Sequence, residues 1–464
     1  MTEKRKSFVL TCLLFSAAEG TSLSLRAQTV WAGAVPGNDT PASVSLTLAD
    51  CIRLGLKNNL GTLLADESTQ EARARRVAAL AQLMPNVTGR VQQSSTQVNL
   101  AAFGFAGFPG VSRIVGPFSV FDMRASVTQP VLNLRSLNGA RATAETVRAT
   151  GIEYQDARDT VAAVVAALYL DALAGAGRIT SAEARVATAQ ALFDQAREFK
   201  ASGVVPGIDV LRAEVQLSAQ RQRLISLQSD SEIRKLHLAR AIGLRANTAL
   251  RLADPMPTGE SGSLPSIDEA VGLALNSRMD YRSLEVRAKA AEYRLKAATA
   301  GRMPSVNLNG DYGIIGKSPD NSHGTFTAAI SLSVPLFDGN RVKAEEQEVT
   351  SELARLHDQV AELRGRIEFE IREAHLNLRA AAEQLTVARG AHDLARLQEE
   401  QARDRFAAGV TSNLEVVQAQ ESVAATDENL ISSLLAGNLA KASLARAIGS
   451  SEKYILTFLA GGGK

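Results

Sequence analysis

Two carboxylates stand at matching places in this chain: Asp209 follows Gly203 by six residues, and Glu415 follows Gly409 by six. Carboxylates brought close together repel one another and attract cations. Arg212 lies one helical turn beyond Asp209, within reach to pair with it instead. For Glu415 the competing account is a solvated helix charge. The other chemistry-bearing residues form no constellation. His237, His323, His357, His375 and His392 lack metal-ligand spacing. Gly316-Lys317-Ser318 looks like the end of a phosphate-binding loop, but Asp311 stands where that loop needs its first glycine, and Pro319 follows instead of a helix. Serine, histidine and aspartate all occur, but without a Gly-x-Ser-x-Gly elbow. The expectation is therefore no catalytic site, no cofactor and no metal.

The elements that carry these residues are read from composition first. Of 464 residues, 51 are basic and 49 acidic, a formal charge of +2. Near-neutrality gives no electrostatic case for nucleic acid. Apolar residues at 45% and charged ones at 22% suit a folded protein. Aromatic residues reach only 5%, while Ala, Leu, Arg, Gln and Glu abound, which is the composition of long helices.

Lys4-Arg5-Lys6 precedes an apolar run from Phe8 to Ala18, the pattern of an export signal over residues 1–27. Cleavage after Ala18 or after Ala27 fits equally well. No later segment approaches about 18 uncharged apolar residues, so no helical anchor is expected. Cys12 lies inside the signal, in a poor lipidation box. Cys51 is then the only mature cysteine, which rules out an intrachain disulfide and suits a packing residue.

The chain is written twice. Leu48 to Leu56 matches Ile267 to Leu275 at an offset of 219, and Met84-Pro85 matches Met303-Pro304 at the same offset. Val127 to Leu132 matches Leu332 to Phe337 at 205, and the two glycine turns match at 206. Leu238-Ala-Arg-Ala-Ile-Gly243 recurs unchanged as Leu444 to Gly449. Ordered matches of this kind mark an internal duplication. The first repeat takes residues 28–252, the second 267–449, with a Pro- and Gly-rich linker at 253–266 and a tail at 450–464. The drop in offset places 14 extra residues between Val87 and Pro130, as expected of a surface loop. The run Gly104 to Gly110 falls there and reads as a flexible loop, an aromatic external loop or a channel constriction.

Each half reads as a helix, two strands, then two very long helices. Val306, Leu308, Tyr312 and Ile314 alternate with Asn307, Asn309, Asp311 and Gly313. Phe326 to Leu336 alternates likewise, as do Phe121 to Thr128, while Val87 to Leu100 alternates only weakly. Period two with one apolar face is a half-buried strand. The expected strands are about 86–100, 117–130, 305–316 and 324–337. From Asn340 to Ala408 there is no proline, and Val349, Leu353, Leu356, Val360, Leu363 and Ile367 recur in steps of three and four. That is a coiled-coil seam, on the order of 100 Å long. Ser136 to Lys200 matches it. Helices returning over Pro206–Ala249 and Asn413–Ile448 complete two hairpins, with tips at about 200–209 and 406–415.

Four strands cannot close a barrel, and lipid does not tolerate open sheet edges. Strands of about this length can cross a bilayer, so several chains would have to pool them. The alternative is a periplasmic coiled-coil scaffold or adaptor whose sheet packs on its own helices, without a pore.

The layout resembles the TolC-like outer-membrane efflux family over essentially the whole mature chain. The resemblance rests on the duplicated order, the Met-Pro before each first strand, and Gln129-Pro130 and Val334-Pro335-Leu336-Phe337-Asp338-Gly339 ending each second one. It rests also on the tips Phe199 to Glu214 and Phe406 to Gln420. The first tip carries one extra residue between its aromatic and its glycine. The resemblance implies a mainly α fold with a membrane β-barrel: a homotrimer pooling twelve strands in outer-membrane lipid, above a helical tunnel in the periplasm. It implies a passive exit duct for efflux or type I secretion, served by a periplasmic adaptor and an inner-membrane pump, whether proton- or ATP-driven. The adaptor would dock on Gly203, Val204, Val205, Gly409, Val410, Thr411 and Ser412. Glu415 matches a position carrying an acidic ring at the inner aperture of relatives, with Asp209 as its counterpart. Gln418 and Arg212 stand where a second acidic ring is expected, a departure that weakens cation binding there.

Overall fold

The computed structural model describes residues 44–104, 112–203, 205–258, 265–411 and 413–459, all in one unit. The expected signal, Cys12, residues 105–110 of the glycine-aromatic run, Val204, linker residues 259–264 and Ser412 lie outside the described residues. The chain opens with β1 (Val44–Leu46), α1 (Leu48–Asn58) and α2 (Leu60–Ala81). The long strands β2 (Asn86–Asn99) and β3 (Ile114–Leu132) follow, then the long hairpin of α3 (Leu134–Ala201) and α4 (Gly207–Ala241). A short β4 (Leu250–Leu252) precedes a second round: α5 (Ile267–Ser277), α6 (Met279–Thr299), β5 (Ser305–Gly316) and β6 (Ser322–Ser333). It ends with α7 (Arg341–Ala407), α8 (Asn413–Ile448) and α9 (Ser451–Leu459).

These elements lie side by side in ribbons four wide. The strands pair antiparallel in the order β2-β3-β5-β6. The helices adjoining the sheet neighbour one another as α2, α3, α6, α7, and those of the hairpins as α4, α3, α8, α7. At about 1.5 Å per residue, the 68 residues of α3 and 67 of α7 each run about 100 Å. Ion pairs tie α3 to α8 along the seam: Arg178 meets Glu428 at 2.8 Å and Arg185 meets Asp427 at 3.6 Å. Burial pushes Glu428 up, but the Arg178 guanidinium and the Ser432 hydroxyl hold it below the usual carboxylate range.

The core sits where the short elements pack on the middle of α3. Val165, Tyr169 and Leu170 of α3 meet Cys51 and Ile52 of α1, Leu238 and Ile242 of the first hairpin, and Ile455 of α9. This explains an apparent conflict. An 18-residue window of α3 has mean hydropathy 1.7, enough by composition to cross a membrane, contrary to the expectation that no such segment follows the signal. More than half of it, 56%, is buried inside this chain, so its apolar side chains are spent on the core. The α1 and α5 helices start with the same device: Thr47 and Asp50, and Ser266 and Glu269, form capping boxes. Cys51 is fully buried, and burial pushes its thiol up to about 12. At neutral pH it is therefore protonated and inert. N-ethylmaleimide is expected to leave Cys51 unmodified in the native protein and to label it after denaturation, as read by intact mass.

Several elements differ from the sequence expectation. The helix expected over Pro206–Ala249 stops at Ala241, because Gly243 takes φ +76° and turns the chain. Val44 to Leu46 pairs parallel with Leu250 to Leu252, a contact between segments too short to show periodicity. The strand expected to reach residue 337 ends at Ser333; Pro335 has no N–H with which to continue a ladder. One helix was expected before each strand pair, but α1 and α2 are separate, as are α5 and α6. Asn59 closes α1 in an extended conformation and caps α2. The extra residues between Val87 and Pro130 do not all go into a loop, since β2 and β3 run 14 and 19 residues against 12 each for β5 and β6.

Candidate functional site: a two-faced sheet and a helical tip

The register of the sheet assigns its side chains to two faces. Residues directly opposite in neighbouring strands share a face. Val87 and Val91 of β2 oppose Val127 and Met123 of β3. Met123, Ala125 and Val127 oppose Ile314, Tyr312 and Gly310 of β5. Leu308 and Tyr312 oppose Ile330 and Phe326 of β6. One face is thus an apolar band, with Gln93 and Ser95 its polar exceptions on β2. The other carries Thr88, Arg90 and Gln92, then Asp122, Arg124 and Ser126, then Asn307, Asn309 and Asp311, then Thr325, Thr327 and Ser331. The four strands hold four charged side chains, and all four stand on this polar face. Arg124 is clamped there, 2.7 Å from Asp122 and 3.0 Å from Asp311.

On the central strands β3 and β5, exposure follows the opposite rule from a soluble sheet. Tyr312, Phe326 and Ile330 are 70%, 78% and 76% exposed, while Asn307, Asn309 and Asp311 on the polar face are half-buried. An apolar band facing outward is expensive in water and favourable in hydrocarbon. The sheet also leaves β2 and β6 with unpaired edges.

At the far end of the helices the two tips pack on each other. Phe406, Val416 and Ala419 form a small core with Leu192 and Ala402, and Phe199 lies against Phe406 with ring centroids 5.8 Å apart. Gly409, at φ +68°, ends α7 in a full Schellman motif: its N–H donates to the Phe406 carbonyl and that of Val410 to the Arg405 carbonyl, both at 2.9 Å. Gly203, at φ +76°, follows the end of α3 with its N–H on the Lys200 carbonyl at 3.1 Å. Neither glycine would bring a Cβ within 4 Å of anything, so conformation alone selects glycine there.

The charged residues of the tips divide. Asp209 is buried in the first turn of α4, and Arg212 donates to it at 3.2 Å. Glu415 is half-buried in the first turn of α8, where it accepts from the Thr411 hydroxyl and pairs with Arg405 at 3.1 Å. Both carboxylates thus have a cation in their own chain and a helix N-terminus beneath them. Gln418 and Arg212 are exposed, Val205 is half-buried, and Val410 is 69% exposed. The sequence reading missed Arg405 as the partner of Glu415, ten residues away across the turn; no periodic pattern marks such a pair. It also missed the Phe199–Phe406 contact, although both aromatics precede the tip glycines. Phe406→Ala is expected to cost about 3 kcal/mol of local stability, the usual toll for a buried ring. Hydrogen exchange should rise in residues 402–416 and stay unchanged in β5 and β6.

The two long helical hairpins and the two-faced sheet define a TolC-like outer-membrane channel fold. The chain matches the outer membrane efflux protein family over residues 55–244 and 270–450, and it belongs to that family. Its place is the outer membrane, and its relatives are channels rather than enzymes. It is 23% identical over 227 residues to the alkaline protease secretion protein AprF of Pseudomonas aeruginosa, spanning about half of each chain, 46% of both. It is 24% identical over 427 residues to the probable efflux pump outer membrane protein TtgC of Pseudomonas putida, covering 87% of this chain and 82% of that one. Among solved structures, the outer membrane protein VceC of Vibrio cholerae superposes with TM-score 0.72 at 18% identity, covering 87% of this chain and 96% of VceC.

Proposed function

We propose that this chain is one subunit of a homotrimeric exit duct. Three four-stranded sheets pool into a twelve-stranded barrel in the outer membrane, and the long helices continue it as a tunnel into the periplasm. The observation that carries this reading is the sheet itself: apolar side outward, charges on the other face, and an open edge on both sides. Closing β2 of one chain on β6 of the next satisfies both edges and encloses the polar face. The helical flanks support the same closure. Ile225, Ile233 and Leu236 on α4, and Phe369, Leu376, Val387 and Leu394 on α7, are exposed apolar residues on the two outer helices of the ribbon. A solvated monomer has no use for them.

The chain is read as a tandem repeat, 28–252 and 267–449, joined by 253–266. Transport through it is passive: an inner-membrane pump supplies energy, and a periplasmic adaptor joins the pump to the duct. The adaptor docks on the tips, at Gly203, Val204, Val205, Gly409, Val410, Thr411 and Ser412. Asp209, Arg212, Glu415 and Gln418 surround the inner aperture, where both carboxylates already pair with an arginine of their own chain. The names of the two relatives concern protease secretion and efflux, and a duct of this kind serves either. The test is single-channel conductance of the detergent-extracted protein in a planar bilayer, with its mass measured in parallel. A conducting trimer is expected. A soluble protein without conductance would replace the duct with a periplasmic scaffold.

A further inference from the structure

We propose that Arg90 sets the ion preference of the barrel; the inference rests on the duct reading above. Arg90 is the only charged side chain of β2, and it is exposed on the polar face. It stands directly opposite Arg124. Like charges placed opposite each other repel, so Arg124 needs the carboxylates that hold it. It has both that the sheet offers: Asp122 at 2.7 Å and Asp311 at 3.0 Å, all three side chains about three-quarters covered. That half-buried triad carries one net negative charge, and Arg90 beside it is the exposed positive charge that balances it. No ion pair to Arg90 occurs among the described residues.

The far side of Arg90 is the seam with the next subunit, where β2 meets a neighbour's β6. That strand reads Ser322 to Ser333 and contains no Asp or Glu. Whatever register the seam adopts, β6 brings no carboxylate to neutralise Arg90. The barrel wall of the trimer therefore presents three solvent-facing guanidinium groups backed by a negative, half-buried belt. A mobile ion in the lumen meets the exposed member first. Rings of like charge at close quarters select permeant ions by sign, and substitutions on a lumen face tune selectivity while those on the lipid face destabilise.

The experiment is the reversal potential of the purified trimer in a planar bilayer under a KCl gradient. Arg90→Glu changes the belt by two charges per chain. It is expected to raise the K+ over Cl− permeability ratio by about threefold or more, since a lumen potential of a few kT enriches counter-ions by at least that factor. Arg90→Gln should move the ratio the same way by less, and Arg90→Lys should leave it at the wild-type value. Conducting Arg90→Gln and Arg90→Glu trimers with an unshifted ratio would overturn the proposal. An equal shift in Arg90→Lys would also overturn it, because charge would not be the cause. A wild-type protein that stays soluble and never conducts would overturn the duct reading itself, and this inference with it.

Discussion

Gly449→Val is expected to remove most of the protein from the outer membrane. Gly449 ends α8 at φ +90°, a conformation that a β-branched residue adopts only under strain. Space is the larger problem. A Cβ there would lie 2.5 Å from Arg278 Cγ, 2.7 Å from Arg278 Cα and 2.8 Å from its backbone nitrogen. Two of those atoms are backbone, so no rotamer change relieves the clash. Arg278 itself cannot retreat easily. Its side chain is 6% exposed, 2.7 Å from Asp280, and paired with Glu370 of α7. Breaking a buried pair of this kind costs about 3–5 kcal/mol, on top of about 1–3 kcal/mol of backbone strain. The sum is comparable to the whole stability of many domains. Membrane-fraction yield and the thermal midpoint of the extracted protein are the readouts. Gly437→Ala, whose Cβ meets nothing within 4 Å, should change neither. Normal yield and midpoint for Gly449→Val would refute this account of the repeated hexapeptide. The same device closes the first hairpin: Gly243 is at φ +76°, and a Cβ there would lie 2.5 Å from Asn58 Cβ.

Gly409→Pro should act at the other end and differently. Proline holds φ near −65° and has no N–H, whereas Gly409 needs φ +68° and donates to Phe406. The substitution removes that bond and the Val410 bond that depends on the same turn, at about 1 kcal/mol each beyond the strain. Proline also disfavours the helical conformation of Ala408 before it. Nothing in the sheet or the central core touches this turn. The protein should therefore reach the membrane in normal amounts, while export in cells falls by about tenfold or more, the factor that 1.4 kcal/mol produces. Export of cargo from cells, with membrane yield in parallel, is the measurement. Full export by Gly409→Pro would remove the tip from any docking or gating role.

The two substitutions separate what the repeated residues do. The paired hexapeptides ending in Gly243 and Gly449 look in sequence like simple helix ends. In the structure they are the points where each hairpin returns to lock against a helix junction, with Ile242 and Ile448 buried beside them. The tip glycines also look like helix ends, and there the structure adds no packing constraint. Identical sequence signals thus carry different loads, and only the neighbours distinguish them.

Local physics was legible from the chain alone. Long proline-free stretches with three-and-four spacing had to be helices. Alternation in Val306 to Ile314 and Phe326 to Leu332 assigned each strand an apolar and a polar side, because successive side chains point oppositely. The tip glycines followed from the reversal between two helices. What alternation cannot assign is which residue lies across from which, since pairing joins residues far apart in the chain. Strand β2 shows this best. Beyond Val91 its apolar side continues as Gln93 and Ser95, so its own pattern is weak. The pairing of Val87 with Val127 and Val91 with Met123 assigns its faces, and with them the place of Arg90. The partners of charges were equally hidden: Arg124 with Asp311 is separated by 187 residues, and Arg405 with Glu415 is joined only by the fold of the tip. The apolar middle of α3 had two destinations open to it, lipid or core. The tertiary structure decided for the core, because α1, α9 and the returning hairpins supply the apolar surface that buries it.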